Sequence, residues 1–270
     1  LKNWFSGGFS MMKNNKKKGF TLRATSVIYA CLVYLFLYLP MIVIVVFSFN
    51  SGKSSAKFEG FSLEGYKMMF ENEQLLEAFA NTLIVALLST LLSTLIGTIA
   101  AVGMYRYTFK GKGLIDSLLY IPVVIPEVVM AISLVMLFNM FNITLGMLTV
   151  IVAHVTFCLP FVIITVRSRM AGYDKHVEEA AMDLGANRFK TFTKITLPII
   201  FPGILAGAML ALSLSLDDVI ISSFTSGTTS MFPNYVYGKL RRSFVGADVN
   251  ALSTLIIIGT LLIMILSNYA

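Results

Sequence analysis

Charge is what this sequence has least of. Asp, Glu, Lys and Arg make up 13% of its 270 residues, against 57% hydrophobic, where an average soluble domain is roughly 25% charged. The deficit is concentrated: six long apolar blocks contain no Lys or Arg. That excludes an ordinary water-exposed globular fold. Cysteine is almost as scarce. Cys31 and Cys158 both lie inside apolar blocks and no CxxC pair occurs, which excludes a disulfide framework and leaves both as small core or lipid-facing residues. No GxxxxGK[ST] loop occurs, so the chain cannot cradle nucleotide phosphates in that mode. Period-two alternation is also missing, which argues against a membrane β-barrel. The net charge of +7 does not point to nucleic acid, because the basic residues sit between the apolar blocks, where topology signals lie.

The blocks themselves run over about 27–49, 79–105, 114–141, 147–166, 199–223 and 251–270. Each holds about 20 residues or more, enough for a helix to cross a hydrocarbon core of about 30 Å with its own backbone satisfied. The fold class is therefore an all-α membrane protein with about six transmembrane helices. Lys2, Lys13, Lys16, Lys17, Lys18 and Arg23 precede the first block; Arg106, Lys110 and Lys112 follow the second; Arg167, Arg169, Lys175, Arg188, Lys190 and Lys194 follow the fourth. This bias places the N-terminus and the second and fourth loops in the cytoplasm. Residues 1–26 read as a basic cytoplasmic segment, with the lysine run as an uncleaved anchor, and 27–270 as one membrane domain embedded in lipid, with a cytoplasmic loop over 167–198.

That loop carries the most specific pattern: Glu179-Ala180-Ala181-Met182-Asp183-Leu184-Gly185, nine residues, then Ile195-Thr196-Leu197-Pro198. Residues 176–184 favour helix, and the two alanines allow close approach by another surface. Gly185 permits the left-handed conformation that ends a helix. Residues 187–193 restart one, presenting Phe189 and Phe192, and Pro198 marks entry to the fifth membrane helix. This resembles the EAA-x3-G-x9-I-x-LP signature of ABC importer permeases at every defined position. The resemblance implies a type I importer permease architecture, with Glu179, Ala180, Ala181, Gly185, Ile195, Leu197 and Pro198 docking on a cytoplasmic ATPase. ATP and Mg then belong to the ATPase partners. This chain holds no cofactor and is not an enzyme.

Glu127 lies inside the third block, behind Pro122 and Pro126, and Asp217 and Asp218 lie in the fifth. A charge at the centre of a bilayer costs about 3 kcal/mol or more, and no Lys or Arg in the blocks can pair with these three. Such acids suit a pathway for a cation, and two separated anionic positions suit a molecule with two or more amines. Ser215 adds a hydroxyl, and the prolines kink the third helix. His154 is the one intramembrane basic candidate and reads as a packed, hydrogen-bonded residue.

Ala131-Ile132-Ser133-Leu134, Thr156-Phe157-Cys158-Leu159-Pro160-Phe161 and Leu216-Asp217-Asp218-Val219-Ile220-Ile221-Ser222-Ser223-Phe224 resemble the second permease subunit of spermidine/putrescine ABC importers. That resemblance implies a bacterial inner-membrane location. It also implies a second, non-identical permease, two ATPase subunits and an extracytoplasmic polyamine-binding protein as partners. Two rival readings remain: an ABC permease for another solute, such as iron or a phosphonate, and an ion-coupled secondary transporter in which Glu127 or Asp217 carries protons.

Overall fold

The computed structural model describes residues 4–52, 57–172, 174, 176–242 and 245–269, with side chains from 26 to 262. Side chains of the basic segment 1–25, and loop residues 53–56, lie outside the described residues. All regular elements among the described residues are helical. In order they are α1 (Trp4–Phe47), α2 (Glu64–Glu71), α3 (Glu73–Arg106), α4 (Lys112–Val124), α5 (Glu127–Met140), α6 (Met147–Met170), α7 (His176–Asp183), α8 (Arg188–Thr191), a π-helical turn (Phe192–Thr196), α9 (Leu197–Leu216), α10 (Ile220–Thr225), α11 (Phe232–Arg242) and α12 (Ala247–Tyr269).

Four stretches are long and apolar enough to cross a membrane: Ser26–Phe47, Glu73–Arg106, Met147–Met170 and Arg188–Leu216. The third expected block is not one kinked helix. It is two, α4 and α5, bent by 110°. Ile125 is extended, at φ −69° and ψ 136°, because the ring of the following Pro126 disfavours the helical region for the residue before it. The fifth block is also interrupted: α9 stops at Leu216 and α10 restarts at Ile220, so Asp217 and Asp218 lie in a break rather than within a helix. The sixth block is α12, whose apolar stretch is described over Ala247–Leu262. About six apolar segments are thus present, as four long helices, one bent pair and α12.

Residues 1–71 and 244–270 form one compact unit, and 72–243 another. In the first, α2 and α1 pack on α12. Gly65 allows the closest approach: a Cβ there would lie 2.9 Å from the Ser48 carbonyl oxygen and 3.0 Å from the Ala247 Cβ. The loop ahead of α2 is tied by Asn50, which accepts from the Glu59 N–H at 2.8 Å and donates to the Lys57 carbonyl at 2.9 Å.

In the second unit α3, α6 and α9 pack on one another. The buried face of α3 carries Thr82, Ala86, Ser89, Ser93, Gly97 and Ala101, small residues at helical spacing. Helices in lipid gain little from the hydrophobic effect, so close packing of small residues holds them together instead. Val162 of α6 shows this: a Cβ on Gly97 would sit 2.7 Å from its Cγ1, and Gly207 of α9 faces its backbone. Cys158 fits the core reading, buried with its thiol 3.5 Å from the Ala211 carbonyl.

Candidate functional site

Glu127 lies far in sequence from Asp217 and Asp218, yet the three line one cavity of about 280 Å³ with Phe157, Leu214, Val219 and Ile220. Two broken helices build it. Glu127 is the first residue of α5, where the free N–H groups of the first turn favour a carboxylate. Asp217 follows α9, whose terminal carbonyls leave the partial negative charge of a helix C-terminus beside it. Among the described residues neither carboxylate has a side-chain hydrogen-bond or ion-pair partner, and both are exposed. Among the described residues no base lines the cavity, so two open acids face it from different elements.

Asp218 differs, and the expectation of three unpaired acids is corrected here. Its Oδ1 accepts from the N–H of Ile221 at 3.1 Å, and its Oδ2 from the N–H of Ser222 at 2.7 Å and the Ser222 hydroxyl at 2.8 Å. His154 Nε2 lies 3.2 Å from the same Oδ2. The side chain thus caps α10 and is satisfied before any ligand arrives. Ser215, expected to offer its hydroxyl to the pathway, does not line the cavity. It is buried, 2.6 Å from His154 Nδ1 and 3.0 Å from Ser89 Oγ. His154 is packed and hydrogen-bonded, as expected.

The pattern over 179–198 folds largely as its residues dictate. α7 ends in a Schellman motif: Gly185, at φ 89°, donates to the Met182 carbonyl at 2.9 Å, and Ala186 to that of Ala181 at 3.0 Å. Glu179 and Ala180 are exposed and Ala181 is partly so. Leu184 and Phe189 are 90% and 75% exposed. Asn187 caps the restart, accepting from the Lys190 N–H at 2.8 Å. Pro198 lies in the first turn of α9, as expected. The helical path leads into it from Arg188 through the π turn, which contains Ile195. Proline has no N–H and crowds the carbonyl four residues back; a widened turn there relieves that conflict.

Sequence reading missed the anchor behind α7. Arg106, at the end of α3, donates to Glu178 at 2.7 Å and to the Thr196 hydroxyl at 3.0 Å, and its guanidinium lies over the Phe192 ring. The Thr196 hydroxyl in turn donates to Glu178. Phe192, expected to face outward with Phe189, is therefore turned inward. A second ion pair, Arg167 with Asp116, ties the end of α6 to α4. These partners lie 72 and 51 residues apart, so no local pattern announces them. Together they gather the second and fourth loops at one end of the unit. At the other end Asn72 donates to the Tyr235 hydroxyl and the Phe232 N–H donates to Thr82.

A bundle of apolar helices whose breaks collect acids at a cavity is the build of a membrane transport subunit. The chain belongs to the family of binding-protein-dependent transport system inner membrane components, which residues 93–270 match. It is a multi-pass inner-membrane permease subunit rather than a catalyst. Its relatives include the spermidine/putrescine transport system permease protein PotC of Escherichia coli (strain K12), 40% identical over 237 residues, 87% of this chain and 89% of the relative. The putrescine transport system permease protein PotI of the same organism is 38% identical over 232 residues, 83% and 82% of the two chains. Among solved structures, the fold is shared with a chain of a bacterial alginate ABC transporter in complex with an alginate pentasaccharide-bound periplasmic protein. That match has a TM-score of 0.70 and 20% identity, and covers 94% of each chain. A chain of the MetNI methionine ABC transporter matches at a TM-score of 0.62 and 18% identity, covering 75% of this chain and 95% of that one.

Proposed function

We propose that this chain forms half of the translocation pathway of an ATP-driven importer for polyamines, with Glu127 and Asp217 as counter-charges for amines in transit. The observation that carries this reading is the cavity lined by two open carboxylates and no base. A di- or tricationic solute leaving water there gains carboxylate counter-charges in place of the hydration it gives up. The relatives named for spermidine and putrescine agree with that chemistry. A second, non-identical permease completes the pathway. An extracytoplasmic polyamine-binding protein delivers substrate, and two ATPase subunits holding ATP and Mg drive it. Glu179, Ala180, Ala181 and Gly185, with Ile195, Leu197 and Pro198 behind them, form the surface that meets the ATPase.

The test is energetic. ATP hydrolysis by the assembled complex should rise when the spermidine-loaded binding protein is added, and uptake should persist when the proton gradient is collapsed. Uptake that needs the gradient and no ATPase would place the chain among ion-coupled transporters instead.

The same reading puts the N-terminus and the α7 end in the cytoplasm. Ser54, a natural labelling position in the first loop, lies outside the described residues, so exposed Thr144, between α5 and α6, serves in its place. A cysteine at Thr144 should react with an impermeant thiol reagent added outside intact cells. One at Asn187 should react only after the inner face is opened. The reverse pattern would overturn the orientation.

A further inference from the structure

His154 stands at the centre of a buried polar chain to which α3, α6, α9 and α10 all contribute. Ser89 Oγ lies 3.0 Å from Ser215 Oγ, which lies 2.6 Å from His154 Nδ1. On the other side of the ring, Nε2 lies 3.0 Å from Ser222 Oγ and 3.2 Å from Asp218 Oδ2. The exposures of Ser89, Ser215, His154, Ser222 and Asp218 are 0, 2, 1, 0 and 7%. Five polar side chains in an apolar bundle are costly unless each finds a partner, and here each does. With the ring proton on Nε2, the donors and acceptors match from Ser215 to Asp218. Ser215 donates to Nδ1, and Nε2 donates toward Asp218 and Ser222, whose hydroxyl donates to Asp218, while the Ser89 hydroxyl, beside Ser215, gives its proton to the Val85 carbonyl at 2.7 Å. A network satisfied in this way has little freedom to rearrange.

None of Ser89, His154, Ser215 or Ser222 lines the acidic cavity. What they hold is the backbone break beside it. Asp218 is drawn inward to His154, and its carboxylate takes the N–H groups of Ile221 and Ser222, which fixes the start of α10. α9 has already ended at Leu216. The single residue between that helix end and the anchored Asp218 is Asp217, and it is left exposed at the cavity. The pairing of His154 with Asp218 also gives Asp218 a partner already, so it is not an open counter-charge like its neighbour.

We infer that His154 is a positioning residue for substrate recognition: through Asp218 and Ser222 it holds the 217–219 break in the shape that presents Asp217 to the cavity. This rests on the proposal that Asp217 meets amines in transit. Leucine at this position fills the space and removes both ring nitrogens. Glutamine can still place an N–H near the position of Nε2.

The experiment measures labelled spermidine uptake per assembled complex, with the partner permease, ATPases and binding protein all present. His154→Leu, His154→Gln and Asp217→Asn are measured singly, and His154→Leu is also combined with Asp217→Asn. His154→Leu should lose roughly tenfold, the scale of one lost hydrogen bond to a charged group, and His154→Gln should regain most of it. In the Asp217→Asn background His154→Leu should cost little more, because residues acting through one another are non-additive. If His154→Leu does not assemble, Ser222→Ala removes one hydroxyl from Asp218 and carries the same comparison. Full uptake by His154→Leu, no rescue by glutamine, or losses that multiply in the double variant would each overturn the positioning role while leaving Asp217 in the pathway. Parent-level uptake by Asp217→Asn would overturn both readings, and is recognised from that single variant alone.

Discussion

Glu127→Gln and Asp217→Asn each cut spermidine uptake per assembled complex by about tenfold or more, with the complex still assembling and the binding protein still docking. The size follows from the charges involved. Each carboxylate faces the same cavity of about 280 Å³, and neither is spent on a protein partner among the described residues. Losing one removes a counter-charge from a solute that has given up water, and charge-assisted contacts of that kind are each worth roughly a factor of ten or more. The amides keep shape and hydrogen-bonding capacity, so packing is spared. The two acids approach the cavity from α5 and from the end of α9, so both losses combined should exceed either alone. A merely architectural role for these acids gives a different result: less complex, with normal uptake in what remains. Asp218→Asn is a contrast. It disturbs a buried capping carboxylate with four polar neighbours, so it should reduce assembly as well as uptake.

Gly185→Val uncouples the transporter. Gly185 sits at φ 89°, a conformation that costs an ordinary residue roughly 1–2 kcal/mol and a β-branched residue more. Nothing lies within 4 Å of where its side chain would point, so the penalty comes from the backbone alone. Valine should unwind the end of α7, displacing Glu179, Ala180 and Ala181 from the ATPase while leaving the membrane bundle untouched. The expected result is normal insertion, loss of most ATP-driven uptake, and ATP hydrolysis no longer stimulated by the loaded binding protein. Parent-level uptake would show that this loop does not carry the coupling. Alanine at the same position should fall between glycine and valine. The anchor behind α7, Arg106 with Glu178 and Thr196, ties α7 to the ends of both α3 and α9.

Much of this was legible before any coordinates. Long blocks free of basic residues define the membrane segments because the bilayer sets their length. The turn at Gly185 follows from the conformation only glycine adopts easily, and three intramembrane acids stand out because such groups are costly there. Three features were not legible, for physical reasons. The 110° bend between α4 and α5 needed more than two prolines: the sequence announces a weakened helix, but the surrounding packing sets the angle. The break at residues 217–219 is carried by pairing between Asp218 and His154, 64 positions away, and hydropathy alone reads the block as continuous. The inward turn of Phe192 depends on Arg106, which in sequence reads only as a charge marking the cytoplasmic side. His154 did carry a signal, as the lone basic side chain among apolar blocks that also hold acids, and a polar partner for it was the natural expectation. Which acid it would choose was a matter of tertiary structure.

The polyamine pathway is tested most directly by reconstituting this chain with its partner permease, both ATPases and the binding protein in proteoliposomes, and following labelled spermidine with ATP supplied. Spermidine should accumulate only with ATP and binding protein present, putrescine should compete, and ferric iron and phosphonates should not. Complexes that accumulate iron or a phosphonate under these conditions, and exclude every polyamine offered, would contradict the assignment.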